Sequence, residues 1–313
     1  MTQTIPNTRN RRHIWIAVLL SLIMPGLGQI YCGKLARGLV FTFLNLLPLP
    51  VTIGLFAIST SSLLMPAVIA MILLAGLIQL MAIIDSVCLA HNAKEYVLKD
   101  YNKPVVYVLL LALISTGSVG SAFYLREQLL EAFRVPVASN YPTILPGDRF
   151  IANKIAYKSS DPIRGDLIVF VNPEDRRINY IKRIVAVAGE TVEIRNGEIY
   201  VNDQKLTQQK LPESTLDNIR IKIKRDKMEP LEGDVYEETN GAAKYKIFLA
   251  EHKTPGDFAK ITVPGHHCFV LGDNRNLSKD SRYFGPIPLA TIIGRADYLY
   301  FPAKDWSRFG KIR

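Results

Sequence analysis

Ser139 in SNYPTILPGD and Lys182 in INYIKRIVA have side chains that could work together as nucleophile and base. A serine hydroxyl attacks poorly until a neighbouring base takes its proton, and that base is usually a histidine or a lysine kept neutral by burial. The second half of the chain offers His252, His266 and His267. His266 and His267 are consecutive, so a strand would turn them to opposite faces, and together with Cys268 they lack metal-ligand spacing. They read as ordinary strand or loop residues, with no metal site and no cofactor expected. Lys182 is the better base. A period of two places Ile178, Tyr180, Lys182, Ile184 and Ala186 on one face, with Asn179, Ile181, Arg183 and Val185 on the other. A lysine on that apolar face would be partly desolvated, which favours the neutral form that accepts a proton. The same pattern also fits a lysine snorkelling at a strand edge, and Ser139 ahead of Pro142 also fits a plain turn.

The elements that must hold these two residues are short strands. From about Val135 onward, DLIVFV, INYIKRIVAVAG, TVEIRNGEIYV, AAKYKIFLA, AKITV and HCFVLGD alternate with Gly, Pro and Asn. Asn196-Gly197 and Asn240-Gly241 read as tight turns. The pattern predicts a mostly antiparallel, partly closed β catalytic domain over 127–313, with a polar, Lys-rich insertion at about 203–233.

The part ahead of it has a different solvent. The chain has 313 residues, a net charge of +10, a pI near 9.4, 49% hydrophobic residues and a mean hydropathy of +0.13. Its apolar residues concentrate in 1–126, which reads as a multi-pass α-helical membrane domain. Runs at 38–59, 62–84 and 105–125 are long enough to span a hydrocarbon core, which takes ~20 helical residues. An earlier run, 14–31, is broken by Pro25, Gly26 and Gly28, and fits a span, a re-entrant hairpin or an interfacial helix packed closely on its neighbours. Arg9, Arg11, Arg12, Lys34, Arg37, Lys94, Lys99 and Lys103 all lie on one side if 14–31 does not cross, while the link at Thr60 and Ser61 carries no charge. The positive-inside rule then sends everything after Arg126 to the extracytoplasmic side. Cys32, Cys88 and Cys268 are too few and too scattered for a disulfide framework. The excess basic charge comes with no nucleic-acid-binding motif, so lipid headgroups account for it and no nucleic acid is expected.

Four blocks in order then carry a resemblance. SNYPTILPGDRFIANKIAY, RGDLIVFVNPED, NYIKRIVAVAGETVEI and GDNRNLSKDSRYFGPIP with its following IIGRA resemble bacterial type I signal peptidase, the membrane-bound Ser-Lys endopeptidase that removes signal peptides from exported proteins. The resemblance implies Ser139 as nucleophile, Lys182 as general base and an acyl-enzyme, with Ser278 orienting the base. It also implies a supporting charge network of Asp273, Arg275, Asp280 and Arg282 with Arg183, and Tyr180 beside the base. The main-chain N–H of Ser139 matches an oxyanion donor, whereas Val137 stands where many relatives carry a second, hydroxyl donor. Asn140 stands where methionine is common. Val137 and Asn140 are therefore the expected substrate-binding departures, bearing on rate and specificity. The implied substrates are preproteins emerging from the export machinery, cleaved after small residues at the outer face of the bacterial cytoplasmic membrane. Phe133 and Val135 either rest on the bilayer or pack on their own domain. A specialised processing peptidase with one substrate, and a non-catalytic membrane binding protein of the same fold, are the competing readings. Ser-Lys self-cleaving repressors carry a DNA-binding domain in place of spans.

Overall fold

The computed structural model describes residues 9–10, 12–48, 50–51, 64–93, 96–97, 99–158, 160–213, 220–224, 227–251, 256–303 and 305–312. Contacts divide the chain into two compact units, Met1–Arg126 and Glu127–Arg313.

In the first unit the run 14–31 folds as two helices, Ile14–Ile23 and Leu27–Tyr31. The break falls where Pro25 removes a helix donor and Gly26 takes a φ of +106°, a backbone state that a side chain resists. The absence of side chains also lets backbones touch. A Cβ on Gly28 would lie 2.1 Å from Ser21 Oγ and 2.5 Å from the Ala17 carbonyl oxygen. Several polar groups in this packing are bonded to one another: buried Gln29 donates to the Ala82 carbonyl at 2.6 Å and to Asp85 at 3.2 Å, and Arg37 donates to Asp85 at 3.0 Å. Around them Trp15, Leu19, Leu73 and Leu113 point outward.

Among the described residues one helix, Ile69–Asn92, is long and apolar enough to cross a membrane, with a mean hydropathy of 2.3. It belongs to the helix Leu64–Asn92, which continues past the expected end at residue 84. The expected run 38–59 contains part of the helix Leu35–Leu46, while 52–59, like Thr60, Ser61 and Lys94, lies outside the described residues. The run 105–125 sits inside the helix Pro104–Gln128, whose strongly apolar part is Pro104–Gly117.

The second unit is a curled antiparallel sheet. Its strands run in the order Ile287–Pro288, His267–Leu271, Asn179–Val187, Leu167–Val171, Ile292–Phe301, Arg149–Asn153 and Leu130–Arg134, with Gly310–Lys311 also paired to Ile292–Phe301. The strand Asn179–Val187 is central, and both of its faces are covered. Ile184 packs with Ile168, Phe170 and Val270, and on the other side Ile181 packs with Leu167 and Val169. The expected single run of alternation is interrupted at Val185, which the register of His267–Leu271 skips. This bulge moves Ala186 away from Ile184 into a separate cluster with Val192 and Phe269. A three-stranded sheet, Thr207–Lys210, Gly233–Asn240 and Ala243–Ala250, borders the site. The region read as a polar insertion therefore contributes Thr207–Lys210 to that sheet, and also forms a hairpin of Arg220–Lys224 with Lys227–Pro230; 214–219 and 225–226 lie outside the described residues.

Candidate active site

Two main-chain bonds, Val135 N to Asp148 O at 2.9 Å and Gly147 N to Val135 O at 2.7 Å, close the neck of the loop that carries Ser139. Asp148, buried inside it, accepts from the N–H of Leu145 at 2.7 Å and of Ala303 at 2.8 Å, and from Arg308 Nη2 at 2.8 Å. Arg308 also donates to the Thr143 carbonyl at 3.0 Å, so Ala303 and Arg308 brace the loop.

The loop brings Ser139, 8% exposed, to Lys182, 3% exposed, with Oγ and Nζ 2.9 Å apart. Burial lowers the lysine pKa to about 8, against the pull of Asp280 and Asp273, which raise it; Arg282 lowers it further. Tyr180 lies beside the base, its ring centroid 5.4 Å from Nζ and its edge set against Phe170. A cleft of about 360 Å³ opens on the pair, walled by Phe133, Val135, Val137, Ile178, Ile181 and Leu277 among others. Val135 is buried and Phe133 stacks on Phe150 at 5.6 Å, so both pack on their own domain.

Several expected partners sit differently. Ser278 is buried, but its Oγ has no hydrogen-bond partner among the described residues. It is turned onto Gly272, where a Cβ would lie 2.2 Å from that oxygen and 2.5 Å from the Ser139 carbonyl oxygen. The expected bond to the base is therefore not formed. Asn140 does not line the cleft. At 1% exposure it turns inward and donates to the Ile181 carbonyl at 2.7 Å. Val137, 57% exposed, does line it.

Within the expected charge network each arginine has its own direct carboxylate partner. Arg183 grips Asp273 with bonds of 2.7 and 2.6 Å and donates to the Gly165 carbonyl at 2.7 Å. Arg282 pairs with Asp280 at 2.8 Å, and Asp280 caps the short helix Ser281–Phe284 and accepts from Gly272 N at 3.0 Å. Arg275 turns away to Glu238, with bonds of 2.8 and 2.5 Å, both residues being buried. A buried bidentate partner neutralises the guanidinium locally, and a residue of the strand Gly233–Asn240 supplies it.

Sequence reasoning missed Glu238, Thr143, Asn274 and the Asp148–Arg308 brace. Thr143 Oγ1 donates to Asp273 Oδ2 at 2.5 Å. Asn274 donates from Nδ2 to the Ala138 carbonyl at 3.2 Å and from its main chain to Ser139 O at 3.1 Å. The usable signals were the positions of Asn274 inside GDNRNLSKDS and of Thr143 and Asp148 inside SNYPTILPGD; Glu238 and Arg308 had none. His267 Nδ1 lies 2.9 Å from the Gly265 carbonyl oxygen, and burial pushes the Cys268 thiol up to about 12. His252 lies outside the described residues.

The family model described as signal peptidase, peptidase S26, matches residues 105–301. Signal peptidase I of Aquifex aeolicus is 32% identical over 210 residues, covering 59% of this chain and 80% of the relative. Signal peptidase I of Pseudomonas aeruginosa is 30% identical over 239 residues, covering 68% and 75%. Signal peptidase I T of Bacillus subtilis is 30% identical over 207 residues, covering 66% and 86%. The matched region holds the sheet, the loop of Ser139 and the strand of Lys182, and on that footing the chain belongs to the peptidase S26 family of signal peptidases, serine hydrolases that remove signal peptides.

Proposed function

We propose that Ser139 is the nucleophile and Lys182 the general base of this peptidase. The observation that carries the reading is the 2.9 Å approach of Nζ to Oγ at a buried position. Burial there leaves a usable fraction of the lysine neutral near physiological pH. As Oγ bonds to the scissile carbonyl carbon, its proton passes to Nζ, and the carbonyl oxygen takes the negative charge beside the Ser139 main-chain N–H. The resulting ammonium gives that proton to the leaving amine as the peptide bond breaks. Lys182 then takes a proton from water as it attacks the ester, and gives that proton to Oγ as the ester bond breaks and frees Ser139. Val137 supplies no hydroxyl to the oxyanion, so that charge depends on main-chain donors.

The substrates proposed are preproteins with a small residue before the cleaved bond, as the family resemblance implies, and a cleft walled mainly by apolar side chains beside Ser139 supports an apolar contact there. The first unit anchors the enzyme in the cytoplasmic membrane as a multi-pass domain, with the second unit on the extracytoplasmic side. The outward-facing Leu and Trp residues of its helices and the basic loops support that arrangement. The test is cleavage of a preprotein in detergent micelles. Ser139→Ala and Lys182→Ala are each expected to lower kcat by at least ~10³-fold with the fold intact; full activity in either would sink the dyad.

A further inference from the structure

Ser139 and Lys182 come from segments 43 residues apart, and their separation is set by whatever ties one segment to the other. The nucleophile turn is held on one side by Asn274, through Ala138 and Ser139 carbonyls. On the other side it is held by Asn140. This residue follows Ser139 directly, and its Nδ2 donates at 2.7 Å to the carbonyl of Ile181, which directly precedes Lys182. We infer that Asn140 is a positioning residue for the dyad: its side-chain amide fastens the nucleophile turn to the base strand and so holds Ser139 Oγ within hydrogen-bond reach of Lys182. The inference rests on the reading of Ser139 and Lys182 as the dyad.

Three observations separate this role from substrate recognition. Asn140 is 1% exposed, so nothing entering the cleft touches it. The wall of the cleft at this turn is Val137 and Ser139. Its Oδ1 is buried without a partner among the described residues, so the donor end of the amide is the part in use. An interior carbonyl needs a donor, and an apolar side chain at this position would leave Ile181 O unpaired. A carboxylate would set two acceptors against each other.

Loosening the tie also changes the surroundings of Lys182. The groups facing it are Asp280, Asp273 and Arg282, with the Tyr180 ring at 5.4 Å, and its low pKa comes chiefly from burial. Water admitted between the turn and the strand relieves that desolvation and moves the lysine back up. The neutral fraction at a given pH then falls, and the acidic limb of the rate profile moves to higher pH.

The experiment compares Asn140→Leu, Asn140→Asp and Asn140→Gln in the full chain, with kcat, KM, pH profile and cleavage-site preference measured on one preprotein series. Asn140→Leu is expected to lower kcat about tenfold, the effect of one unpaired interior acceptor, with KM within about twofold. Its acidic limb moves to higher pH and its preference among cleavage-site residues stays the same. Asn140→Gln keeps a donor and recovers most of the rate. Unchanged kcat and an unmoved limb in Asn140→Leu overturn the inference. So does an altered KM or site preference with an unmoved limb, which would make Asn140 a specificity residue. Should Asn140→Leu lack a cooperative thermal transition, Asn140→Asp decides: of nearly the same size but without the donor, it is expected to behave as Leu does, and wild-type kinetics in it overturn the inference. Full activity in Ser139→Ala or Lys182→Ala overturns the dyad reading instead, whatever the Asn140 variants do.

Discussion

Lys182 is where burial becomes chemistry. An ammonium in that position loses its hydration, so the folded chain holds the proton more weakly than the unfolded chain does. Two outcomes follow, and activity and stability both rise with pH. Cleavage requires the neutral amine, so kcat/KM is expected to rise as the pH passes upward through about 8. Unfolding binds protons between about pH 8 and the ordinary lysine value of 10.5, so stability is expected to increase with pH across that window. Below it the full penalty remains. Lys182→Met removes the penalty, and it is expected to abolish cleavage while raising the unfolding free energy at neutral pH by about 1–3 kcal/mol. Denaturant titration at several pH values checks both, and a Lys182→Met chain less stable than the parent would refute the account. The strand period put Lys182 on a face with apolar residues, a pattern that also fits a lysine snorkelling at a strand edge, and its role as base was legible through the family resemblance. Asn140 was not, since a turn residue has no period, and only the position of the Ile181 carbonyl shows which way its amide points. Ser278 was legible, through the resemblance, as an orienter of the base, though its hydroxyl lies against Gly272 without a hydrogen-bond partner among the described residues.

At the scale of elements, the site is assembled where the strand His267–Leu271 ends and its continuing chain meets the three-stranded sheet. Phe248 on Ala243–Ala250 forms a parallel bridge with Asn274, giving its carbonyl to Arg275 N at 3.1 Å and its N–H to Asp273 O at 2.8 Å. Glu238 then locks this junction, binding Arg275 and accepting from Tyr245 at 2.8 Å and from Gln208 at 2.9 Å. Removing one member of a buried ion pair leaves the other charged and unpaired. Glu238→Gln is therefore expected to lose ~3–5 kcal/mol, whereas Glu238→Leu combined with Arg275→Met recovers part of that loss. Equal destabilisation by the single and double variants, measured by denaturant midpoints, would count against the pair as the cause. The strand pattern made the main sheet readable. The route of Gly233–Asn240 back to the site was not, because strand order depends on long-range pairing that alternation does not encode. The bulge at Val185 was hidden for the same reason: it exists only in relation to the neighbouring strand.

For the whole molecule, the two units differ in what they expose. Helices of the first unit present Leu and Trp outward and keep Gln29, Asp85 and Arg37 bonded among themselves, a division suited to hydrocarbon. The second unit buries apolar side chains on both faces of its sheet, as a water-exposed domain does. The proposed topology is testable on intact spheroplasts. A tag ahead of Arg9 is expected to resist added protease while a tag following residue 313 is removed, and the reverse pattern would overturn the arrangement. Hydropathy made the helices readable, and close packing at Gly26 and Gly28 became visible only with the neighbouring backbone in place.

The brace of Asp148 by Ala303 and Arg308 introduces an order in time. These residues lie 155 and 160 positions after Asp148, so a ribosome delivers Ser139 and Lys182 well before it delivers the groups that steady their loop. A chain ending at Phe301 is expected to contain the dyad yet cleave a preprotein at least ~10-fold more slowly than one that includes 302–312, because two donors to a buried carboxylate are missing. Equal rates would remove the delay. Ala303 and Arg308, which brace the nucleophile loop, are thus the last residues of the site to be synthesised.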